Sequence, residues 1–206
     1  YFPKQEELYK VETKNKIRFI FVGQLIERKG IDYLINALHY LNINYDSSLW
    51  DFKILGDGIL KNKLNSEIEQ INNSSIKYLG LIKKDSVIQE LYSNSDILFI
   101  SSIFDGWGAV VNEALSKNLA ILSSNMVYSS RSLINHGYNG FIYGYNDLNK
   151  MNEGFDFFFR EKGNLFSMKK NSRKIYKEWN SKNASKSFFK LIENKNNTNK
   201  SLLSRI

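Results

Sequence analysis

Ile17-Arg18-Phe19-Ile20-Phe21-Val22 runs into Gly23-Gln24-Leu25-Ile26-Glu27-Arg28-Lys29-Gly30, and the fold is decided there. The first six residues are apolar except Arg18, and Gly23 ends them, so the run reads as a short buried strand. Beyond the loop, Ile31, Leu34, Ile35, Leu38 and Leu41 recur at helical spacing. A strand, a glycine turn and an amphipathic helix make the first half of a βαβ unit.

The same alternation continues outward. Trp50–Leu55 reads as a second strand closed by Gly56-Asp57-Gly58, and Leu60, Leu64, Ile68 and Ile71 mark the next helix. Ile76–Leu79 is a third strand ended by Gly80. Asp85 is the expected N-cap of a helix carrying Val87, Ile88, Leu91 and Tyr92. Ile97–Ile100 is a fourth strand, Val110–Leu115 begins a helix, and Leu119–Leu122 is a fifth strand. A short helix is expected at Ser132–Asn135 with Gly137 as its cap, then a sixth strand at Gly140–Tyr143. After Asn146 the pattern is helical only: Leu148–Phe159, Leu165–Trp179 and Ala184–Ile192. Strands separated by helices imply right-handed crossovers and a parallel sheet. The expected class is α/β: a Rossmann-like, doubly wound parallel sheet of about six strands with C-terminal helices. The expected domain is 16–193, with a linker at 1–15 and a flexible tail at 194–206.

Composition narrows the chemistry. The 206-residue chain has no Cys, which removes disulfides, thiolate metal ligands and thiol nucleophiles. Its two histidines, His39 and His136, lie in no triad-like context and read as structural. No apolar run approaches the ~18 residues needed to span a bilayer. The net charge of +8 is not spread evenly: residues 1–150 hold 16 basic and 16 acidic residues, residues 151–206 hold 13 and 5. A nucleic-acid-binding domain is not expected from that distribution. The basic C-terminal quarter reads as a solvated helical face, with anionic lipid or an acidic partner as the alternative. The first residues, Tyr1-Phe2-Pro3-Lys4, read as the middle of a longer protein.

In open α/β sheets, ligands bind beyond the carboxyl ends of the strands. Glycine-bearing loops follow four of the expected strands: Gly23-Gln24, Gly56-Asp57-Gly58, Gly80, and Phe104-Asp105-Gly106-Trp107-Gly108. Lys29, just before a helix start, suits a diphosphate, although many such loops carry a surface lysine. Asp105 and Glu113 are acids separated by seven residues across a glycine-rich loop and a helix start. Glu113 is expected one turn into that helix and Asp105 in the loop before it. The amides of Gly108 to Val111 are expected to be free donors for an anion, helped by the helix dipole. An ordinary helix start flanked by acids has the same spacing. There is no Asp-x-Asp, no GxxxxGK[ST], no GxGxxG and no GxSxG.

The ordered series FVGQLIERKGID, FKILGDG, IKYLGLI, LYSNSDILFISS and DGWGAVVNEAL resembles the C-terminal domain of family 4 glycosyltransferases, over roughly residues 16–145. These are retaining enzymes of the GT-B fold. The acidic pair resembles the family's E-x7-E motif, with Asp105 in place of the first Glu. By this resemblance Lys29 holds the donor diphosphate, and Gln24 stands where many members have a second phosphate-binding Arg, a loss that Arg28 partly offsets. Gly23 lies in the same loop. Asp105 contacts the donor sugar ring, and Glu113 binds the nucleotide ribose. The backbone of Gly106, Trp107, Gly108, Ala109 and Val110 touches sugar and diphosphate, and Leu81 lies beside the base. Lys29 and Asp105 are the expected catalytic residues, without a metal or cofactor.

The resemblance implies transfer of a hexose from a nucleotide-sugar, here a UDP-sugar, with retention, to a lipid-linked or other glycan acceptor. O-antigen or capsule synthesis at the inner face of the bacterial cytoplasmic membrane, in lipopolysaccharide-type pathways, is the expected setting. The location would be cytoplasmic, peripheral to that membrane. An N-terminal acceptor domain outside this sequence is implied, without which the chain would transfer little. The alternatives are a non-catalytic nucleotide-sugar-binding module and an epimerase or phosphorylase half of the same fold.

Overall fold

The structure, a computed structural model, describes residues 16–179. The linker expected at 1–15, the tail at 194–206 and the helix at 184–192 lie outside the described residues. The elements alternate: β1 (Ile17–Val22), α1 (Ile31–Asn44), β2 (Trp50–Leu55), α2 (Lys61–Ile71), β3 (Ile76–Gly80), α3 (Asp85–Ser93), β4 (Ile97–Ile100), α4 (Ala109–Ser116), β5 (Ala120–Ser124), α5 (Tyr128–Leu133), β6 (Gly140–Tyr143), α6 (Leu148–Arg160) and α7 (Leu165–Glu178). The strands form one six-stranded sheet of order β3-β2-β1-β4-β5-β6. Every pairing is parallel.

Parallel strands covered on both faces need apolar residues on both faces, and the strands supply them. Ile17, Phe19 and Phe21 of β1 point into one core with Phe52, Phe99 and Phe155. Ile20, between them in sequence, points into the other with Leu98, Ile100 and Ile121. Helices α1, α2 and α6 cover the first face through Leu34, Leu38, Leu64, Met151 and Phe158. Helices α3, α4, α5 and α7 cover the second through Tyr92, Val111, Leu115, Leu133 and Ile175.

The order reverses beside β1: the chain winds outward through β2 to β3, then returns to lay β4 on the other side of β1. Phe19 pairs with Ile97 and Ile20 with Leu98 across that junction. Reversal leaves a crevice at the carboxyl ends of β1 and β4, because their following helices go to opposite faces. The loops after β1 and β4, carrying Lys29 and Asp105, therefore meet.

Some boundaries differ from the sequence expectation. The short helix expected at Ser132–Asn135 is α5, which begins at Tyr128. Its buried side is Ser129, Ser130 and Leu133, so serines stand where helical spacing looks for apolar residues. Gly137 does not cap α5, whose cap is Ile134; it makes a separate turn, its amide donating to the Gly140 carbonyl at 2.9 Å. Asp85 is the first residue of α3 rather than its N-cap; Lys84 occupies that place without a side-chain cap bond. Asp85 still lies in the first turn, where its charge suits the helix dipole. Strand β5 runs on to Ser124, past the expected Leu122.

Candidate functional site at the carboxyl edge of the sheet

The loop after β1 ends in a tight turn, Glu27–Lys29, closed by the Gly30 amide on the Glu27 carbonyl at 2.8 Å. Gly30 has a φ of 68°, and a Cβ there would sit 1.9 Å from the Ser101 carbonyl oxygen. Only glycine fits, so the β1 loop lies directly against the end of β4. The contact is clipped further: the Ser101 hydroxyl donates to the Lys29 carbonyl at 2.9 Å, and the Ile103 amide donates to the Arg28 carbonyl at 2.9 Å.

These backbone contacts bring three charged side chains together. Lys29 Nζ donates to Asp105 Oδ2. Arg28 Nη1 lies 3.4 Å from Asp105 Oδ1 and donates to the Phe104 carbonyl at 3.1 Å. Lys29 and Asp105 are mostly enclosed, with side chains 15% and 12% exposed, whereas Arg28 is 43% exposed. The sequence-expected pair Lys29 and Asp105 is in direct contact, and Arg28 reaches the same carboxylate from the solvent side.

Helix α4 starts beside them. Its cap is Gly108, with φ 77°, and a Cβ there would lie 2.5 Å from Val127 Cγ1. The Ser129 hydroxyl donates to the Gly108 carbonyl at 3.1 Å, and the Ser129 amide to the Trp107 carbonyl at 2.9 Å. The expectation of free amides from Gly108 to Val111 needs one correction: the Val111 amide donates to the Gly108 carbonyl at 3.0 Å. The first turn tightens there, which takes one donor out of reach of an anion. Ala109 and Val110 remain as first-turn amides. Trp107 is exposed, packs beside Tyr128 and Trp179, and donates from Nε1 to Asn112 Oδ1 at 2.8 Å.

Glu113 is one turn into α4, as expected. One carboxylate oxygen accepts from the Tyr92 hydroxyl at 2.9 Å. Burial and the Glu113 charge push the Tyr92 phenol well up, so it stays a proton donor that fixes Glu113. Gln24 is exposed and belongs to no ionic contact among the described residues. Gly23 gives its amide to the Leu55 carbonyl at 3.0 Å and joins the β1 and β2 loops. Leu81 is exposed after β3, the edge strand, two strands away from β1.

The sequence reading missed the residues that hold these loops. Three Ser-Ser pairs, Ser101-Ser102, Ser123-Ser124 and Ser129-Ser130, are all buried at this edge. Ser124 donates to the Ser102 carbonyl at 2.6 Å, and the Ser123 and Ser130 hydroxyls are 2.7 Å apart. Buried hydroxyls persist where they are paired: Ser101, Ser124 and Ser129 bond backbone carbonyls of these loops, and Ser123 and Ser130 pair with each other. The signal was the repetition of Ser-Ser after apolar runs. The histidines lie apart from this cluster in their contacts: His39 Nε2 meets Glu67 at 2.9 Å, and His136 lies on Phe141 with ring centroids 4.4 Å apart. Among the described residues no group of three or more His, Cys, Asp or Glu is placed to hold a metal ion.

A single parallel sheet whose strand order reverses beside β1, covered by helices on both faces, defines a Rossmann-like α/β protein. More narrowly, the chain belongs to the group 1 glycosyl transferases, whose family model matches residues 4–175. A UDP-Gal:α-D-GlcNAc-diphosphoundecaprenol α-1,3-galactosyltransferase of Escherichia coli is 29% identical over 138 residues, covering 66% of this chain and 34% of that protein. An uncharacterized glycosyltransferase of Haemophilus influenzae is 27% identical over 185 residues, covering 85% of this chain and 50% of that protein. The lipopolysaccharide outer core galactosyltransferase WaaB in its apo form superposes with a TM-score of 0.76 at 20% identity, covering 89% of this chain and 51% of WaaB. The pneumococcal O-GlcNAc transferase GtfA, solved with UDP and GlcNAc, gives 0.73 at 19% identity, covering 88% of this chain and 36% of GtfA. Both superpositions place the sheet in a GT-B glycosyltransferase fold. The chain spans no more than about half the length of these relatives.

Proposed function

We propose that this chain forms the donor-binding half of a glycosyltransferase that takes a sugar from a nucleotide-sugar, a UDP-sugar first, and passes it on with retention. The observation that carries this is the meeting of Lys29, Arg28, Asp105 and the start of α4 at the crevice between β1 and β4. In this reading Lys29 and the α4 amides of Ala109 and Val110 hold the diphosphate and stabilise the charge that grows on it as the glycosidic bond breaks. They do so without a divalent metal. Asp105 faces the sugar and Glu113, pinned by Tyr92, takes the ribose hydroxyls. UDP is favoured because GtfA was solved with it and the E. coli relative is named for a UDP donor. That relative's name also supports a lipid-diphosphate-linked sugar as acceptor, and the lipopolysaccharide outer core named for WaaB supports a bacterial surface polysaccharide as product.

The test is calorimetric titration of the chain with UDP, GDP and ADP, then with UDP-sugars, first without metal and then with Mg²⁺. Metal-independent binding of UDP is expected, with Mg²⁺ adding little. Binding that appears only with Mg²⁺ would remove the metal-free diphosphate site. Product anomericity in the full-length protein tests retention: an inverted product would rule it out.

A further inference from the structure

The basic C-terminal stretch takes a definite shape in α7. Lys169, Lys170, Arg173, Lys174 and Lys177 are basic there, and only Glu178 is acidic. No other described helix has a basic excess above one. Lys169 turns inward: its Nζ donates to Asp96 Oδ1 at 2.7 Å and to the Ser95 carbonyl at 3.3 Å. Leu165, Met168 and Ile175 are buried on the same side, so the core fixes which side of α7 faces out. Lys170, Arg173, Lys174 and Lys177 are all exposed, and spacings of three and four residues set them in one row along that outer side. Like charges at those spacings repel, so the row costs the helix stability. Elsewhere helix cations are answered by acids: Lys63 meets Asp32 at 2.6 Å, and Lys150 meets Glu153 at 2.6 Å. Lys170, Arg173 and Lys174 enter no ion pair among the described residues. Two aromatic residues bracket the row. Phe166, four residues before Lys170, is 56% exposed, and Trp179, at the cap of α7, is 49% exposed.

We propose that the outer face of α7 rests on an anionic lipid bilayer. A row of cations meets lipid phosphates, and exposed aromatic rings settle at the boundary between headgroups and acyl chains. An acidic protein would answer the charge alone; the bilayer answers both the charge and the rings at its two ends. The apolar side of α7 is spent on the core, so the helix lies on the surface and does not insert. Binding of this kind is electrostatic and weakens with salt. The direction of α7 gives the contact a use. The helix ends at Trp179, whose ring centroid is 6.3 Å from that of Trp107, two residues beyond Asp105. Resting α7 on a bilayer therefore holds the rim of the crevice beside the surface from which a lipid-linked acceptor arrives. Lipid binding by α7 does not depend on the donor-site reading; only the placing of the acceptor rests on it.

The test is cosedimentation of the 206-residue chain with vesicles of phosphatidylglycerol and phosphatidylcholine in equal parts, and with vesicles of phosphatidylcholine alone. The wild-type chain is compared with the triple variant Lys170→Gln/Arg173→Gln/Lys174→Gln. Thermal unfolding shows that the variant is folded; its melting temperature should hold or rise, since repelling charges have been removed. The wild-type chain is expected to bind the anionic vesicles and not the neutral ones, and to come off in high salt. The triple variant is expected to bind the anionic vesicles at least about tenfold more weakly. Its UDP affinity by calorimetry should equal that of the wild-type chain. A wild-type chain that ignores anionic vesicles would overturn the proposal and leave an acidic partner for this face. Equal binding to neutral vesicles would overturn it as well. Undiminished binding by the folded triple variant would overturn it by moving the lipid contact to residues 180–206, which the variant leaves intact. A wild-type chain that binds anionic vesicles but not UDP would overturn the donor-site reading and leave the lipid surface standing.

Discussion

Two aspartates flank the same strand, and each faces two cations. Asp96, immediately before β4, accepts from Arg18 Nε at 2.7 Å, Arg18 Nη2 at 2.8 Å, the Arg18 amide at 3.1 Å and Lys169 Nζ at 2.7 Å. Asp105, after β4, receives one contact from each of Lys29 and Arg28. The amino-edge cluster is saturated, with a bidentate guanidinium and a lysine from α7 closing over it. The carboxyl-edge cluster is more open, with the Arg28 side chain 43% exposed and loops built on the positive-φ glycines Gly30 and Gly108 around it. The difference shows how one motif differs at two ends: completed hydrogen bonding staples α7 to the sheet at Asp96, while the Asp105 cluster is left with fewer contacts, as the proposed donor site requires.

The largest effects should separate the two ends. Asp96→Ala strands Arg18 and Lys169 around a vacant centre, so a loss of about 3 kcal/mol is expected in urea unfolding. Nucleotide affinity should survive in the folded fraction. Asp105→Asn keeps a polar side chain of the same shape against Lys29 and Arg28, so it should cost clearly less stability than Asp96→Ala while altering nucleotide affinity. If Asp105→Asn were the more destabilising of the two, the comparison would be reversed.

Gly30→Ala should be comparably severe, about 3 kcal/mol or more, because the Cβ would meet the Ser101 carbonyl in a left-handed backbone. A near-wild-type melting temperature for that variant would mean the two loops are not in contact.

The pH response sharpens the contrast. Burial opposes ionisation of Asp96 and is the largest single effect on it, but the hydrogen bonds and charges of Arg18 and Lys169 together outweigh it. Its carboxyl is therefore held below the usual value. A depressed folded pKa gives stability that is present above about pH 4 and is lost as pH falls through the folded value. Wild-type stability should decline in that acid window, and Asp96→Asn should decline less steeply. Parallel acid profiles of the two proteins would show that Asp96 carries no such linkage.

The smallest expected effect concerns the serines. Ser129→Ala removes the hydroxyl on the Gly108 carbonyl and should cost about 1 kcal/mol. UDP affinity should fall modestly with it, since the α4 start loses a support. Stability lost with no change in UDP affinity would make Ser129 purely structural.

Much of this was legible in the residues. Apolar runs such as Ile17–Val22 and Ile97–Ile100 announced their strands because sheets covered on both faces demand continuous hydrophobicity. Lys29 and Asp105 could be nominated because both follow strands at the ligand-binding edge. What stayed hidden was pairwise: that Arg28 shares the carboxylate with Lys29, that Tyr92 holds Glu113, and that Lys169 reaches Asp96 across 73 positions. Such contacts depend on how distant elements dock, which no local spacing encodes. Helix α5 was misplaced for a related reason, since its buried serines make hydrogen bonds, Ser129 to the Gly108 carbonyl and Ser130 with the Ser123 hydroxyl, instead of filling an apolar face.

The most direct measurement is calorimetric titration of UDP, without metal, into the wild-type chain and Lys29→Ala. The account predicts that the wild-type chain binds and that the variant binds at least about tenfold more weakly. Equal affinities would contradict a diphosphate site at the β1–β4 crevice and move the nucleotide elsewhere on the sheet.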